Sequence, residues 1–229
     1  MRSRVSREMV RMKTVMSFDM DGTLTDQGFV DSVWLEGIPH LYSIKTGVPF
    51  DNAWDIVKKE YDKIGKNRLE WYDLNYWIEK FGLNVAPRDL LRCFEHRIRT
   101  YPEVTEVLEE LQQRGSKLIV VTNARREFVE LELEKTGIKN YFKHVFSVTS
   151  DFALVKKKAA VYEKVCQILE IDPQEMIHVG DELYFDFNVP RRLGILAFYL
   201  DRTGKHKGDF VIHNLKELKR KLYGVGGEA

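Results

Sequence analysis

The feature that most constrains the fold is a short apolar run, Val15–Phe18, that passes without a break into Asp19-Met20-Asp21-Gly22-Thr23. Such a run is typical of a buried strand. Because side chains alternate along an extended backbone, Asp19 and Asp21 leave the strand on the same side. Gly22 permits a sharp turn there, and Thr23 adds a hydroxyl. One carboxylate of such a pair can attack while its neighbour moves protons, if a cation offsets their charge. An ordinary Asp/Gly turn is the alternative.

Further apolar runs predict the rest of a sheet. They lie at Lys117–Thr122, 176–179, 195–200 and 209–212, with 145–148 as a weaker candidate. Near-continuous apolar strands indicate burial on both faces and therefore a parallel sheet. Helical apolar spacing separates the runs, for example at Val104, Val107, Leu108 and Leu111. The alternation from 102 to 223 predicts an α/β fold with a doubly wound, Rossmann-like parallel sheet.

Residues 26–100 interrupt this alternation. They contain no clear strand, and their patterns predict helices near 28–46, 51–64, 67–81 and 87–99. We therefore predict a discontinuous core, 12–25 and 101–223, with an inserted helical domain at 26–100. Residues 1–11 carry four arginines and almost no apolar side chains, which predicts a frayed or disordered extension or an upstream start codon. A basic arm that binds nucleic acid is the alternative for this segment.

Composition narrows the class of protein. The chain has 229 residues, enough for one well-packed domain and a smaller one. Its net charge of +1 gives no electrostatic case for nucleic acid or a membrane as the main partner. The two cysteines are far apart, and no apolar run reaches the ~18 residues of a membrane span. These observations predict a cytoplasmic protein, and they leave its oligomeric state open.

Polar side chains follow several of the predicted strands. In open α/β sheets, ligands bind beyond the carboxyl ends of the strands, so these side chains are expected to meet at one edge. Acidic groups there suit a cation, and hydroxyl, amide and lysine donors suit phosphoryl oxygens. The set comprises Asp19, Asp21, Thr122, Asn123, Asp181, Glu182, Asp186 and a lysine among Lys156, Lys157 and Lys158.

At these spacings the motifs resemble those of the haloacid dehalogenase superfamily of phosphohydrolases. The first matching motif starts at Asp19 and ends at Asp26, the second is Val121-Thr122-Asn123, and the fourth includes Gly180-Asp181 and Asp186. The inserted helices are similar to the C1 helical cap of subfamily I. The third motif departs from the pattern, since Lys157 and Ala159 stand where prolines are common. The register of Val161-Tyr162 favours Lys156 as its lysine, with Lys157 and Lys158 as alternatives.

The resemblance implies a Mg²⁺-dependent phosphatase and a role for each matching residue. Asp19 would be the nucleophile that forms an aspartyl-phosphate, and Asp21 the acid and base. The resemblance further implies that Mg²⁺ is held by Asp19, the Asp21 carbonyl and Asp181, with Asp186 orienting metal waters or the lysine. Phosphoryl oxygens would be bound by Thr122, Asn123 and Lys156. Glu182 fits a metal-water role and an exposed turn equally well.

Asp21 separates the branches of this superfamily. The branches that attack carbon or cleave phosphonates lack an aspartate at this position, so Asp21 favours phosphate esters. We expect a small phosphorylated metabolite as substrate. A phosphomutase or phosphotransferase on the same core is the alternative, and a non-catalytic binding protein is the alternative of a different class.

The inserted helices are expected to contribute a substrate pocket. Phe29, Trp34 and His40 follow the first motif, and Arg125 follows the second. The alternative for the aromatic residues is that they build the core of a small helical domain. The segments 24–28 and 99–103 are predicted to act as a hinge.

Overall fold

The computed structural model describes residues 15–155 and 158–223. The predicted N-terminal extension at 1–11, and Lys156 and Lys157 of the third motif, lie outside the described residues. The predictions for these segments therefore stay predictions.

Six parallel strands form one sheet in the order β3-β2-β1-β4-β5-β6. This arrangement confirms the prediction of a doubly wound parallel sheet with flanking helices. The central strand β1 has Lys117 of β2 opposite Val15 on one side, and His178 of β4 opposite Ser17 on the other. The strands are β1 (Val15–Phe18), β2 (Lys117–Thr122), β3 (Phe142–Ser147), β4 (Met176–Gly180), β5 (Leu196–Leu200) and β6 (Val211–Ile212).

Helices cover both faces of the sheet. Met16 and Phe18 point into an apolar layer with α6 and α11, whereas Val15 points into the layer with α9 on the opposite face. Alternation along the strand therefore buries both faces, as the continuous apolar runs predict. The described helices are α1 (Gly28–Asp31), α2 (Ile38–Thr46), α3 (Phe50–Ile64), α4 (Leu74–Phe81), α5 (Pro87–Phe94), α6 (Val104–Gln113), α7 (Arg126–Thr136), α8 (Val148–Asp151), α9 (Ala159–Leu169), α10 (Val189–Arg192) and α11 (Leu215–Tyr223).

Three predicted boundaries were wrong. Strand β3 begins at Phe142 and ends before Val148, which opens α8 instead. Strand β6 is limited to two residues, because a turn from Gly208 to Val211 occupies the start of the predicted run. The predicted helix 67–81 is a 3₁₀ turn followed by α4, because the Asp73 carboxylate accepts hydrogen bonds from the backbone N–H groups of Asn75 and Tyr76. An aspartate that caps a helix in this way fixes its start.

The helices from α1 to α5, which we call the cap, bury an apolar cluster around Val57, Leu74 and Trp77, and Phe128 of α7 joins this cluster from the core. A π-helical segment, Ser32–Gly37, connects α1 with α2 without a break in the helix. Two antiparallel linkers join the cap to the sheet, where the Asp26 N–H donates to the Arg99 carbonyl over 3.0 Å. The domain boundaries and the hinge at these linkers stay predictions. Among the described residues, no helix is both long and apolar enough to cross a membrane.

Candidate active site

Three carboxylates meet where β1 and β4 end. One oxygen each from Asp19, Asp181 and Asp186 lies within 4.8 Å of the other two. Asp19 and Asp186 are buried, and Asp181 is partly exposed. Carboxylates so close together repel one another unless a cation or protons offset their charge. An all-oxygen set of this kind suits Mg²⁺ by its donor chemistry. We call these three residues the sheet edge, because they lie beyond the carboxyl ends of the central strands.

A buried polar network holds Asp186 in place. Its Oδ1 lies 3.2 Å from Nε2 of His178, and its Oδ2 accepts the Glu182 N–H over 3.0 Å. The other ring nitrogen of His178 lies 2.8 Å from the Ser17 hydroxyl, on the neighbouring strand. The hydroxyl of Tyr162 lies 3.1 Å from Nε2 of the same histidine. This network was not predicted, because its members are separated by up to 161 positions in the sequence.

The turn after Asp19 fits tightly against Asp181. Gly22 has a φ of +76°, and a Cβ added there would lie 2.2 Å from Oδ2 of Asp181. Glycine is therefore required twice, once for the backbone conformation and once for the close approach. Arg202 donates to the carbonyl oxygens of Gly22 and Thr23, and its Nη1 binds Glu103 over 2.8 Å. Arg202 thus links the turn to the second linker, a role that no motif signalled.

Glu132 is a further residue of the site that the sequence did not predict. It lies on α7, is fully buried, and accepts a hydrogen bond of 2.8 Å from the Thr25 hydroxyl. Burial, and next to it the negative charge of Asp21, raises the pKa of Glu132 well above its ordinary value. A buried carboxyl group beside a second carboxylate is stabilised when one of the two carries a proton, so we expect the Glu132–Asp21 pair to hold one.

Thr122 and Asn123 end β2 at the same side of the sheet, and both line the cleft described below. The Thr122 hydroxyl accepts the Ala124 N–H over 3.1 Å, which fixes the turn after the strand. The Asn123 amide donates to the Tyr72 hydroxyl of the cap over 3.4 Å. Lys158, one of the alternatives for the third motif, is exposed and does not line the cleft.

A cleft of about 420 Å³ separates the sheet edge from the cap. Of the four predicted pocket residues, Trp34 and Arg125 line it. The prediction for Phe29 was wrong, because this side chain is fully buried and packs on Phe128, 5.7 Å between ring centres. The prediction for His40 was also wrong, because the residue is exposed on α2 and does not line the cleft.

Ion pairs join the cap to the core around the cleft. Lys66 of the cap binds Glu182 over 2.5 Å, a contact with the cap that the sequence did not predict. Arg125 binds Asp73 of the cap over 2.8 Å, and its charge is therefore already matched. Lys135 of α7 binds Glu95 in the same way, over 2.9 Å. All of these side chains are partly exposed.

Comparisons with known proteins identify the family. A family model described as haloacid dehalogenase-like hydrolase matches residues 13–194, and the chain belongs to this family. The crystal structure of a HAD phosphatase from Thermococcus onnurineus superposes with a TM-score of 0.83, at 27% identity, and covers 92% of this chain and 98% of that one.

Curated relatives refine the class of enzyme. The GMP/IMP nucleotidase YrfG of Escherichia coli (strain K12) is 27% identical over 170 residues, which cover 71% of this chain and 72% of the relative. Pyrophosphatase PpaX of Bacillus cereus (strain B4264) is 28% identical over 221 residues, which cover 91% of this chain and 95% of the relative. By these similarities the chain is a phosphoric monoester hydrolase of the haloacid dehalogenase type.

Proposed function

We propose that this enzyme is a Mg²⁺-dependent, cytoplasmic phosphatase that hydrolyses a small phosphorylated metabolite through an aspartyl-phosphate on Asp19. The observation that carries the proposal is the sheet edge, where three carboxylates converge beside the cleft that Thr122 and Asn123 help to line. A buried cluster of like charges is costly to maintain. Its presence at the mouth of a cleft points to a site that binds a cation and an anionic substrate.

Asp19 and Asp181 would supply carboxylate ligands to the cation, and the backbone carbonyl of Asp21 lies in the same turn. Asp186 lies beside them and would orient metal-bound water or Lys156. When bound, Mg²⁺ would offset the repulsion between the carboxylates and the phosphate, which otherwise opposes attack. The close fit of Gly22 against Asp181 holds one ligand in place, and the buried network holds Asp186 beside it.

The residues divide the chemistry among them. The Asp19 carboxylate attacks phosphorus in line, while Asp21 donates its proton to the leaving oxygen. Asp21 then accepts a proton from the water that hydrolyses the aspartyl-phosphate, and the cycle closes. The Thr122 hydroxyl and the Asn123 N–H donate to the phosphoryl oxygens as charge spreads over them. We propose Lys156 as the lysine that joins them.

The experiment is phosphate release from a panel of phosphorylated metabolites, with Mg²⁺ and with EDTA. We expect release that requires the metal and falls to background in Asp19→Asn. The matched control is Asp89→Asn, which changes an exposed aspartate on α5 and should retain activity. Metal-independent release, or full activity in Asp19→Asn, would contradict the mechanism. A phosphorylated Asp19 that transfers phosphate to a bound product without releasing it would support the phosphomutase alternative.

A further inference from the structure

The cleft also indicates which kind of group carries the phosphate. We propose, on the basis of the proposed phosphatase function, that the leaving group is a nucleoside, so that the substrates are nucleoside monophosphates. The base would lie against Trp34 and Trp71, and Asp31 would accept hydrogen bonds from its N–H groups.

Six aromatic side chains line the cleft, among them Trp34 and Trp71. The Trp34 ring lies nearly parallel to Phe128, at an angle of 8°, and meets Tyr61 edge-on at 5.9 Å between ring centres. Phe128 and Tyr61 are buried and act as a fixed backing, whereas Trp34 and Trp71 stay partly exposed in the cleft. Rings that are held rigidly and left partly open are suited to stacking on a planar ligand.

Not every cap aromatic has this arrangement. Trp77 is fully buried, does not line the cleft, and packs on Tyr61 and Phe81 inside the cap. The cap therefore builds its core with one tryptophan and presents two others to the cleft. Trp77 provides an internal control for the effects of cap damage alone.

The charges of the cleft wall disfavour a second anionic group on the substrate. Its cations are matched within the described residues, Lys58 by Asp62, Lys66 by Glu182 and Arg125 by Asp73. A carboxylate or a second phosphate on the leaving group would have to break one of these pairs. The leaving group that fits without such a loss is neutral.

Asp31 is an additional acceptor on this wall. The residue lines the cleft, and among the described residues its carboxylate has no hydrogen-bond partner. Burial, together with the nearby charge of Asp26, raises its pKa above the ordinary value. A carboxylate in this position suits the amino and imino N–H groups at the edge of a nucleobase. It also repels an anionic leaving group, which agrees with the matched cations.

The volume agrees with the same class of ligand. A cleft of about 420 Å³ lies within the range of about 300–1,000 Å³ that is usual for small-molecule sites. The phosphate would occupy the sheet edge, and the neutral planar part would extend toward the cap. A two-carbon phosphate ester is too small to contact most of this apolar wall.

The test compares kcat/KM for guanosine 5′-monophosphate, ribose 5-phosphate, phosphoglycolate and pyrophosphate in the wild-type enzyme. We expect the nucleotide to exceed ribose 5-phosphate by about 5- to 150-fold, which is the range that stacking of one base contributes. Phosphoglycolate and pyrophosphate should fall further behind. Ribose 5-phosphate isolates the contribution of the base, since it shares the sugar and the phosphate.

Variants locate the effect. Trp34→Ala should lower the ratio of nucleotide to ribose 5-phosphate about tenfold, mainly through KM, whereas Trp34→Phe retains a ring and should restore most of it. Asp31→Asn removes the charge that repels an anionic leaving group, so the kcat/KM for phosphoglycolate should rise relative to that for the nucleotide. Trp77→Phe perturbs the cap core and should leave the ratio unchanged.

The outcomes separate this inference from the proposed function. If ribose 5-phosphate or phosphoglycolate is hydrolysed with a kcat/KM equal to that of the nucleotide, and this activity requires Asp19, the nucleoside assignment is overturned and the phosphatase function stands. An unchanged ratio in Trp34→Ala also overturns it. If no phosphate ester is hydrolysed, the proposed function and the nucleoside assignment fall together.

Discussion

The two sides of the cleft are built by different physical means. At the sheet edge, Asp186 and His178 are completely buried and joined by hydrogen bonds to neighbouring strands and to the following turn. Across the cleft, the cap meets the core through an apolar contact on Phe128 of α7 and through ion pairs such as Lys66 with Glu182, both of which are about half exposed. Buried charges that lose a partner cost several kcal/mol, whereas exposed ion pairs contribute about 0–1 kcal/mol.

The difference teaches how one chain combines a fixed catalytic centre with a cap that can move. Asp19 and Asp181 are held by the sheet and by the tight turn at Gly22, so their geometry does not depend on the cap. All but one of the buried residues of the apolar cluster around Trp77 lie in the cap and the linker that follows it, the exception being Phe128 of α7, so we expect the cap to keep its shape when its ion pairs separate. We therefore expect substitutions at the sheet edge to act on stability and metal binding, and those at the cap contacts to act weakly.

The largest effect is expected at the buried network. His178→Ala removes one hydrogen-bond partner from each of three buried groups, the Ser17 hydroxyl, the Tyr162 hydroxyl and the Asp186 carboxylate. We expect a loss of about 3 kcal/mol in the free energy of unfolding, since each unsatisfied buried group costs roughly 1–3 kcal/mol. Urea denaturation measures it. The control is His144→Ala on β3, where the histidine is exposed and the loss should be small. Equal losses in the two variants would show that the network does not hold the edge.

The turn at Gly22 gives the next effect. Gly22→Ala brings a methyl group against the Asp181 carboxylate, so we expect a decrease of up to about a hundredfold in activity and a higher Mg²⁺ requirement. Gly115→Ala is a matched control, because Gly115 has a φ of +85° but open space around its Cβ position. Both variants carry the same kind of backbone strain. Activity that falls equally in both would trace the effect to strain and contradict the proposed contact.

A pH-dependent effect of intermediate size is expected at Glu132. Because burial and the Asp21 charge raise its pKa, the folded protein holds a proton that the unfolded chain releases above about pH 4.3. The stability of the metal-free protein should therefore fall as the pH rises from there through the raised pKa. Glu132→Gln keeps an acceptor for Thr25 and cannot ionise, so at pH 8 we expect it to be roughly 1–3 kcal/mol more stable than the wild type.

Urea unfolding in EDTA at pH 5 and pH 8 measures this effect. Glu130→Gln changes an exposed glutamate on the same helix and should follow the wild type at both values. A wild-type stability that rises between pH 5 and pH 8, with no change of slope in Glu132→Gln, would show that Glu132 is ionised in the fold. The active site would then carry one more negative charge than we infer.

The sequence predicted those site residues that directly follow an apolar run. Apolar runs end directly in Asp19, Thr122 and Asp181, and the rule that ligands bind beyond the carboxyl ends of parallel strands brings these residues together. The strands and their parallel arrangement follow from the same runs, whereas the order of the strands was not predicted. Strand boundaries were misplaced where a helix begins within an apolar run, as at Val148, or where a turn occupies the start of the run, as at Gly208–Val211.

The residues that support the site could not be predicted from the sequence, because their contacts join distant parts of the chain. Glu132 meets Thr25 across 107 positions, and Arg202 meets Gly22 across 180, so no local pattern reports these contacts. Phe29 lies in α1 and Trp34 in the π-helical segment that continues it, and the two aromatic side chains face different surroundings, the apolar cluster and the cleft. The π-helical segment at Ser32–Gly37 changes the angle between successive side chains there, and a regular helical pattern does not anticipate it.

The smallest effect is expected at the cap contact. In a double-mutant cycle of Lys66→Ala and Glu182→Ala, we expect a coupling energy of about 0.5 kcal/mol, which decreases as salt is added. Urea unfolding of the two single variants and the double variant gives this coupling, and the Lys58–Asp62 pair within α3 offers a comparison that does not join cap to core. A coupling above about 2 kcal/mol would mean that the cap is locked onto the core as firmly as the sheet edge is held together. The cleft could then admit substrate only if the core moved as well, and the contrast between its two sides would disappear.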